Sequence, residues 1–92
     1  MNEKLTLSVF TVDKVFDPVE CDSVRLSIAD SVDGSFSGSY GIKKGHAPTV
    51  FTLKEGEIIA SEKGKELFRL KSTAGFASVK DNVVSVTVEK AE

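Results

Sequence analysis

The feature that most constrains this chain is a two-residue rhythm that never runs for long. Between Cys21 and Ile28, the apolar Val24, Leu26 and Ile28 fall on one side of an extended chain, and Ser23, Arg25 and Ser27 fall on the other. Successive side chains of a strand point to opposite faces, so such a run buries one face and leaves the other to water or a polar partner. Leu5, Leu7 and Val9 repeat the pattern near the start, around Thr6 and Ser8. Val84, Val86 and Val88 repeat it near the end, around Ser85 and Thr87. Phe10 and Val12 lie on the opposite side of the first run, which predicts cover on both faces near the end of that strand.

Breakers arrive every few residues. Asp13-Lys14 reads as a turn, with Val15-Phe16 a short return strand ended by Asp17-Pro18. Lys54-Glu55-Gly56 reads as a turn, Glu62-Lys63-Gly64-Lys65 as a charged hairpin tip and Lys80-Asp81-Asn82 as a tight turn. Asp30 to Ser39 is rich in turn formers and reads as a loop, with Phe36 predicted to pin it to the core. No apolar stripe of helical period appears. The pattern predicts an all-β fold: an antiparallel β-sandwich or flattened barrel of eight to ten short strands, one domain over residues 1–92. Its two layers, about 10 Å apart, would enclose the odd-numbered apolar set of the first strand and the even-numbered valines of the last.

Charge and length exclude several functions. Twelve basic residues oppose fourteen acidic ones with the signs mixed along the chain. No basic stripe offers a nucleic-acid footprint. No apolar run approaches the roughly 20 residues of a membrane span. The opening Met1-Asn2-Glu3-Lys4 lacks the apolar core of a signal peptide, and a single cysteine cannot form an internal disulfide. These features predict a chain kept in a reducing, bacterial-type cytoplasm.

Catalytic chemistry finds little to work with. Cys21 and His46 are the only cysteine and histidine, and nothing in their spacing specifies a thiol–imidazole pair. Cys21 sits where a strand begins and is predicted to be a buried structural residue. His-x-x-x-His and Cys-x-x-Cys spacings are missing, so no metal site is predicted. Gly64-Lys65 is followed by Glu66, and Ile59 stands where a phosphate-binding loop needs glycine. Asp30 and Asp33 lack calcium-loop spacing and read as turn residues capping their own backbone. No cofactor is predicted, and the chain is not expected to be an enzyme.

The segment Gly41-Ile42-Lys43-Lys44-Gly45-His46-Ala47-Pro48 stands apart, with the one histidine between two glycines and a proline. Glycine reaches backbone angles closed to other residues, and proline pushes Ala47 towards extended geometry. It reads as a shaped loop presenting His46 at one end of the domain. Its Gly-Ile-x-x-Gly-His-Ala-Pro pattern precedes the extended Thr49-Val50-Phe51-Thr52-Leu53. Together with Ala74-Gly75-Phe76-Ala77-Ser78-Val79 and Asp81-Asn82-Val83-Val84-Ser85-Val86-Thr87-Val88, it resembles the epsilon subunit of F-type ATP synthases (delta in mitochondrial naming). The similarity runs in a single order along nearly the whole chain.

That resemblance implies a function. In the family, the sandwich binds the gamma shaft through one side, and the Gly-His-Ala-Pro loop rests on polar loops of the membrane c-ring, so that rotor parts turn together and ion flow is coupled to ATP synthesis. Carried over, the c-ring contact comprises Ser39, Gly41, Ile42, Lys43, Lys44, Gly45, His46 and Ala47, while the gamma-contacting face stays unassigned. His46 has a plainer reading as a loop histidine bonded to a neighbouring carbonyl; the contact role is favoured. Two departures make the loop more basic and less rigid than the family's. Ser39 stands where an acidic residue is usual, and Lys44 where proline is usual. The family also continues into two antiparallel helices that regulate ATP hydrolysis; no such role is carried onto these residues. The subunit would sit on the cytoplasmic face of the membrane through its complex, without inserting. The competing reading is a free-standing ligand- or protein-binding sandwich, weakened by the lack of tryptophan and the single tyrosine.

Overall fold

The computed structural model describes residues 4–29 and 38–92. Asp30, Asp33 and Phe36, and with them most of the Asp30–Ser39 loop, lie outside the described residues. The described chain forms nine strands: β1 Leu5–Phe10, β2 Val19–Cys21, β3 Ser23–Ile28, β4 Gly38–Lys43, β5 Thr49–Leu53, β6 Gly56–Glu62, β7 Lys65–Ser72, β8 Gly75–Lys80 and β9 Val83–Val88. Their order in the sheet is β2-β1-β9-β8-β5-β3-β6-β7, with β4 paired to the free side of β3. The first half of β3 pairs with β6, whereas its last residue, Ile28, pairs with Leu53 of β5. β3 therefore passes from one layer to the other, and the sheet curls into a flattened, nearly closed barrel.

The alternation in the sequence becomes the core. Leu5, Leu7 and Val9 of β1, Val24, Leu26 and Ile28 of β3, and Val84, Val86 and Val88 of β9 are all buried. Cys21 is completely buried, and burial pushes its thiol pKa up, as befits a packing residue. Two tight turns read in the sequence have the backbone expected of two-residue hairpins. Lys63 and Gly64 join β6 to β7, and Asp81 and Asn82 join β8 to β9, all four with positive φ.

Four expectations need correction. The sheet is not antiparallel throughout. β1 and β9 run parallel, with Thr6 opposite Val83 and Phe10 opposite Thr87; they come from opposite ends of the chain, so no hairpin dictates their direction. β1 ends at Phe10, and both Phe10 and Val12 are exposed, so the strand is not covered on its second face. The return strand at Val15-Phe16 shrinks to a single bridge between Phe10 and Val15. Finally, the organising segment is a loop only in its second half. Ser39, Gly41, Ile42 and Lys43 belong to β4, which pairs along the full length of β3 from Ser23–Lys43 to Ile28–Gly38.

Aromatic rings close the places where backbone pairing stops. On one side, Phe16 packs edge-on against Phe68 of β7, with ring centroids 6.4 Å apart. On the other, Tyr40 of β4 packs against Phe51 of β5 with centroids 5.2 Å apart. Each pair covers core that would otherwise meet water, at a geometry favoured by the ring quadrupoles.

Candidate partner-contact site at the histidine loop

After β4, the chain turns at Lys44 and Gly45 and enters β5 at Thr49. Gly45 has φ near 83°, a left-handed conformation that an L side chain would resist. His46 follows, half-buried, its ring 6.0 Å from both Tyr40 and Phe51. Both ring nitrogens are engaged inside the domain. Nδ1 lies 2.8 Å from the Ala47 carbonyl oxygen, and Nε2 lies 3.0 Å from the Tyr40 hydroxyl. A carbonyl can only accept, so in the neutral ring Nδ1 carries the proton and Nε2 accepts from Tyr40. The Ala47 carbonyl also accepts from the Thr49 hydroxyl at 2.9 Å. Hence the plainer account of His46 describes its bonding: the ring is a pin that fixes the loop to the aromatic seam.

A second tether comes from the β8–β9 turn. The Asn82 side-chain oxygen accepts from the Gly45 backbone N–H at 2.7 Å, while the Asn82 carbonyl accepts from Thr6 N–H at 2.8 Å. Gly45, His46, Pro48, Asp81 and Asn82 line a shallow cleft between loop and turn. Sequence reading missed Tyr40, Phe51 and Asn82 as parts of this site. The Asp-Asn turn was legible, but the reach of its side chain across 37 positions was not.

The predicted contact residues separate into groups. Lys43, Lys44, Gly45 and Ala47 are exposed and adjacent, and their surface carries two cations and no acid. Ile42 is fully buried and belongs to the core, so its side chain offers nothing to a partner. Ser39 lies four residues before Lys43 on β4, about 13 Å along the strand. It accepts from the Arg25 guanidinium at 3.0 Å, which also lies against Gly41. An acid at position 39 would meet that same guanidinium.

The outward side of β1, β9, β8 and β5 has a different chemistry. Cross-strand registers align Phe10, Thr87, Phe76 and Thr52 in one row and Ser8, Ser85, Ser78 and Val50 in the next. Phe76 is 61% and Val50 74% exposed, and these two rows carry no charged side chain. The outward side of β3, β4, β6 and β7 is charged instead, with Arg25, Lys43, and Arg69 paired to Glu57 and Glu66. The third row of this side, Thr6, Val83 and Lys80, brings in one cation, and its end adjoins the histidine loop through Asn82.

Comparison with known proteins now places the chain. The family model described as the beta-sandwich domain of the ATP synthase delta/epsilon chain matches residues 4–92. The chain belongs to this family. It is 37% identical over 86 residues to the ATP synthase epsilon chain of Leptospira borgpetersenii serovar Hardjo-bovis, covering 94% of this chain and 61% of that one. It is 34% identical over 92 residues to the epsilon chain of Geobacter metallireducens, covering all of this chain and again 61% of the relative. The chain thus spans less than two thirds of the length of these curated relatives. Among solved structures it is similar to a chain of the Euglena gracilis mitochondrial ATP synthase OSCP/F1/c-ring assembly, with TM-score 0.78, 21% identity, and coverage of 97% of this chain and 52% of that one. A chain of the Tetrahymena thermophila mitochondrial ATP synthase central stalk and c-ring gives TM-score 0.73 at 14% identity, covering 98% and 66%. At such identities these two likenesses establish the fold. The delta/epsilon chain is a non-catalytic subunit of ATP synthase. Among the described residues, no helix is long and apolar enough to cross a membrane, and no cluster of metal-ligating side chains occurs.

Proposed function

We propose that this chain is the sandwich part of a central-stalk rotor subunit, docking on the gamma shaft with one face and on the c-ring with the histidine loop, at the cytoplasmic side of the membrane and without inserting into it. The observation that carries the proposal is the juxtaposition of a largely uncharged, partly aromatic sheet face with an exposed loop bearing two lysines, joined through Asn82 on one stiff body. Torque transfer needs two contact surfaces held at a fixed separation, and a curled double layer resists the bending that would waste it. Phe10, Val50 and Phe76 are the shaft contact, because exposed aromatic and branched side chains on a flat sheet supply the apolar centre of a docking patch. Lys43, Lys44, Gly45 and Ala47 are the ring contact, with His46 holding them in shape. The family match favours this reading over a free-standing binding module, and no cofactor enters it.

Binding to the cognate gamma subunit and to detergent-solubilised c-ring tests the two surfaces separately. Lys43→Ala with Lys44→Ala should weaken ring binding about fivefold, more at low salt, and leave shaft binding unchanged. Phe76→Ala should weaken shaft binding about tenfold and leave ring binding unchanged. Tight binding of a small ligand without affinity for gamma would favour the binding module instead.

A further inference from the structure

We infer that Asn82 is a positioning residue for the contact loop: its side chain pre-shapes Lys43 to Ala47 for the ring before docking, an inference that rests on the ring-contact reading above. The β8–β9 hairpin needs positive φ at both central residues, and Asn82 supplies 64° at the second. Asparagine tolerates that region, yet glycine would tolerate it more easily. What asparagine adds is a side-chain oxygen, and it is spent on the Gly45 N–H, 37 residues away, at 2.7 Å. Gly45 is the left-handed hinge on which the loop turns, so fixing its amide fixes the direction in which Lys44 leaves β4 and His46 re-enters the seam. The same residue accepts from Thr6 N–H through its own carbonyl, which anchors the tether to β1 rather than to a freely swinging turn.

The energetic logic is pre-organisation. A loop ordered only upon docking takes its ordering cost out of the binding free energy, whereas a loop tethered beforehand does not. Gly45 and Ala47 are exposed and carry little side-chain bulk, so the backbone itself must hold the shape that the two lysines project from. His46 pins the far side of the loop to Tyr40, and Asn82 pins the near side. Asp81, the other turn residue, is exposed beside the cleft and takes no part in the tether.

Two substitutions separate tether from turn. Asn82→Gly keeps the backbone conformation and removes the acceptor; Asn82→Asp keeps both. Amide hydrogen exchange at Gly45, measured by NMR on the folded chain, should quicken roughly five- to tenfold in Asn82→Gly and stay near the original rate in Asn82→Asp. Affinity for the detergent-solubilised c-ring should fall about threefold or more in Asn82→Gly, recover in Asn82→Asp, and leave gamma affinity unmoved in both. Unchanged Gly45 exchange in Asn82→Gly overturns the tether. Faster exchange with unchanged ring affinity, in a protein whose ring binding does respond to Lys43→Ala with Lys44→Ala, overturns the positioning role and leaves the ring contact standing. If neither the lysine pair nor Asn82→Gly moves ring affinity, the ring-contact reading itself falls, and the positioning role with it.

Discussion

Ile42→Ala provides a sharp test of how this region is built, because the family resemblance places Ile42 among contact residues and the structure places it in the core. The side chain is fully buried on β4 opposite Val24, also fully buried. Alanine deletes three carbon atoms, and at about 0.8 kcal/mol per methylene the lost transfer free energy is about 2.4 kcal/mol. The cavity left behind adds to this, because β3 and the aromatic seam relax only partly, giving about 3–4 kcal/mol in all. For a domain of this size each kcal/mol lowers Tm by about 4–8 °C, so a loss of roughly 15–25 °C is expected in a thermal melt followed by circular dichroism. Ile42→Val, removing one methylene, should cost about 1 kcal/mol and lie a quarter to a third of the way along the same scale. Ring affinity of the folded fraction should be unchanged for the valine variant. A drop in Tm of only a few degrees for alanine, accompanied by weakened ring binding, would refute the core assignment and return Ile42 to the contact surface.

Other perturbations test neighbouring parts of the argument. A methyl added at Gly75 would run into the Thr87 carbonyl oxygen and lie within 2.9 Å of the Val88 Cα, so Gly75→Ala should cost about 2–3 kcal/mol, seen as a lowered urea midpoint with little change in slope. Nitrogen NMR should find the neutral His46 ring protonated at Nδ1, and Tyr40→Phe should shift the Nε2 resonance by removing its donor while costing about 1 kcal/mol of stability. Glu66 is held below its ordinary value near 4.5 by hydrogen bonds from Arg69. A depressed carboxylate stabilises the fold above the unfolded value and stops doing so as pH falls through the folded one. The stability difference between the wild type and Glu66→Gln should therefore shrink as pH drops below 4.5, and shrink in high salt because the pair is exposed. Cys21 should resist thiol labelling in the native state and react at the rate of unfolding, since its sulfur is buried with raised pKa.

How far the sequence carries this far depends on what each feature asks of distant residues. The buried faces of β1, β3 and β9 were legible because alternation is local: every second residue states which side it takes. The two tight turns were legible for the same reason. Leu67 shows where locality fails. Ala60 pairs with Phe68 but Ser61 pairs with Glu66, so the apolar Leu67 is the extra residue of a bulge and sits half-exposed on β7, a displacement that no local pattern announces. Parallel closure of β1 on β9 is likewise invisible, since nothing near either strand encodes the other's direction. At the candidate site, a Gly-Ile pair next to lysines resembles a loop, because glycine disfavours strands. β4 forms there nonetheless, since β3 offers a complete ladder and Gly41 leaves room for the Arg25 guanidinium. The outcome alters what the loop can do. With Ile42 drawn into the core and both His46 nitrogens committed to Tyr40 and Ala47, the residues left exposed for the proposed contact are Lys43, Lys44, Gly45 and Ala47. The histidine that draws the eye in the sequence therefore holds the loop in shape, and the proposed ring contact rests on the exposed lysines beside it.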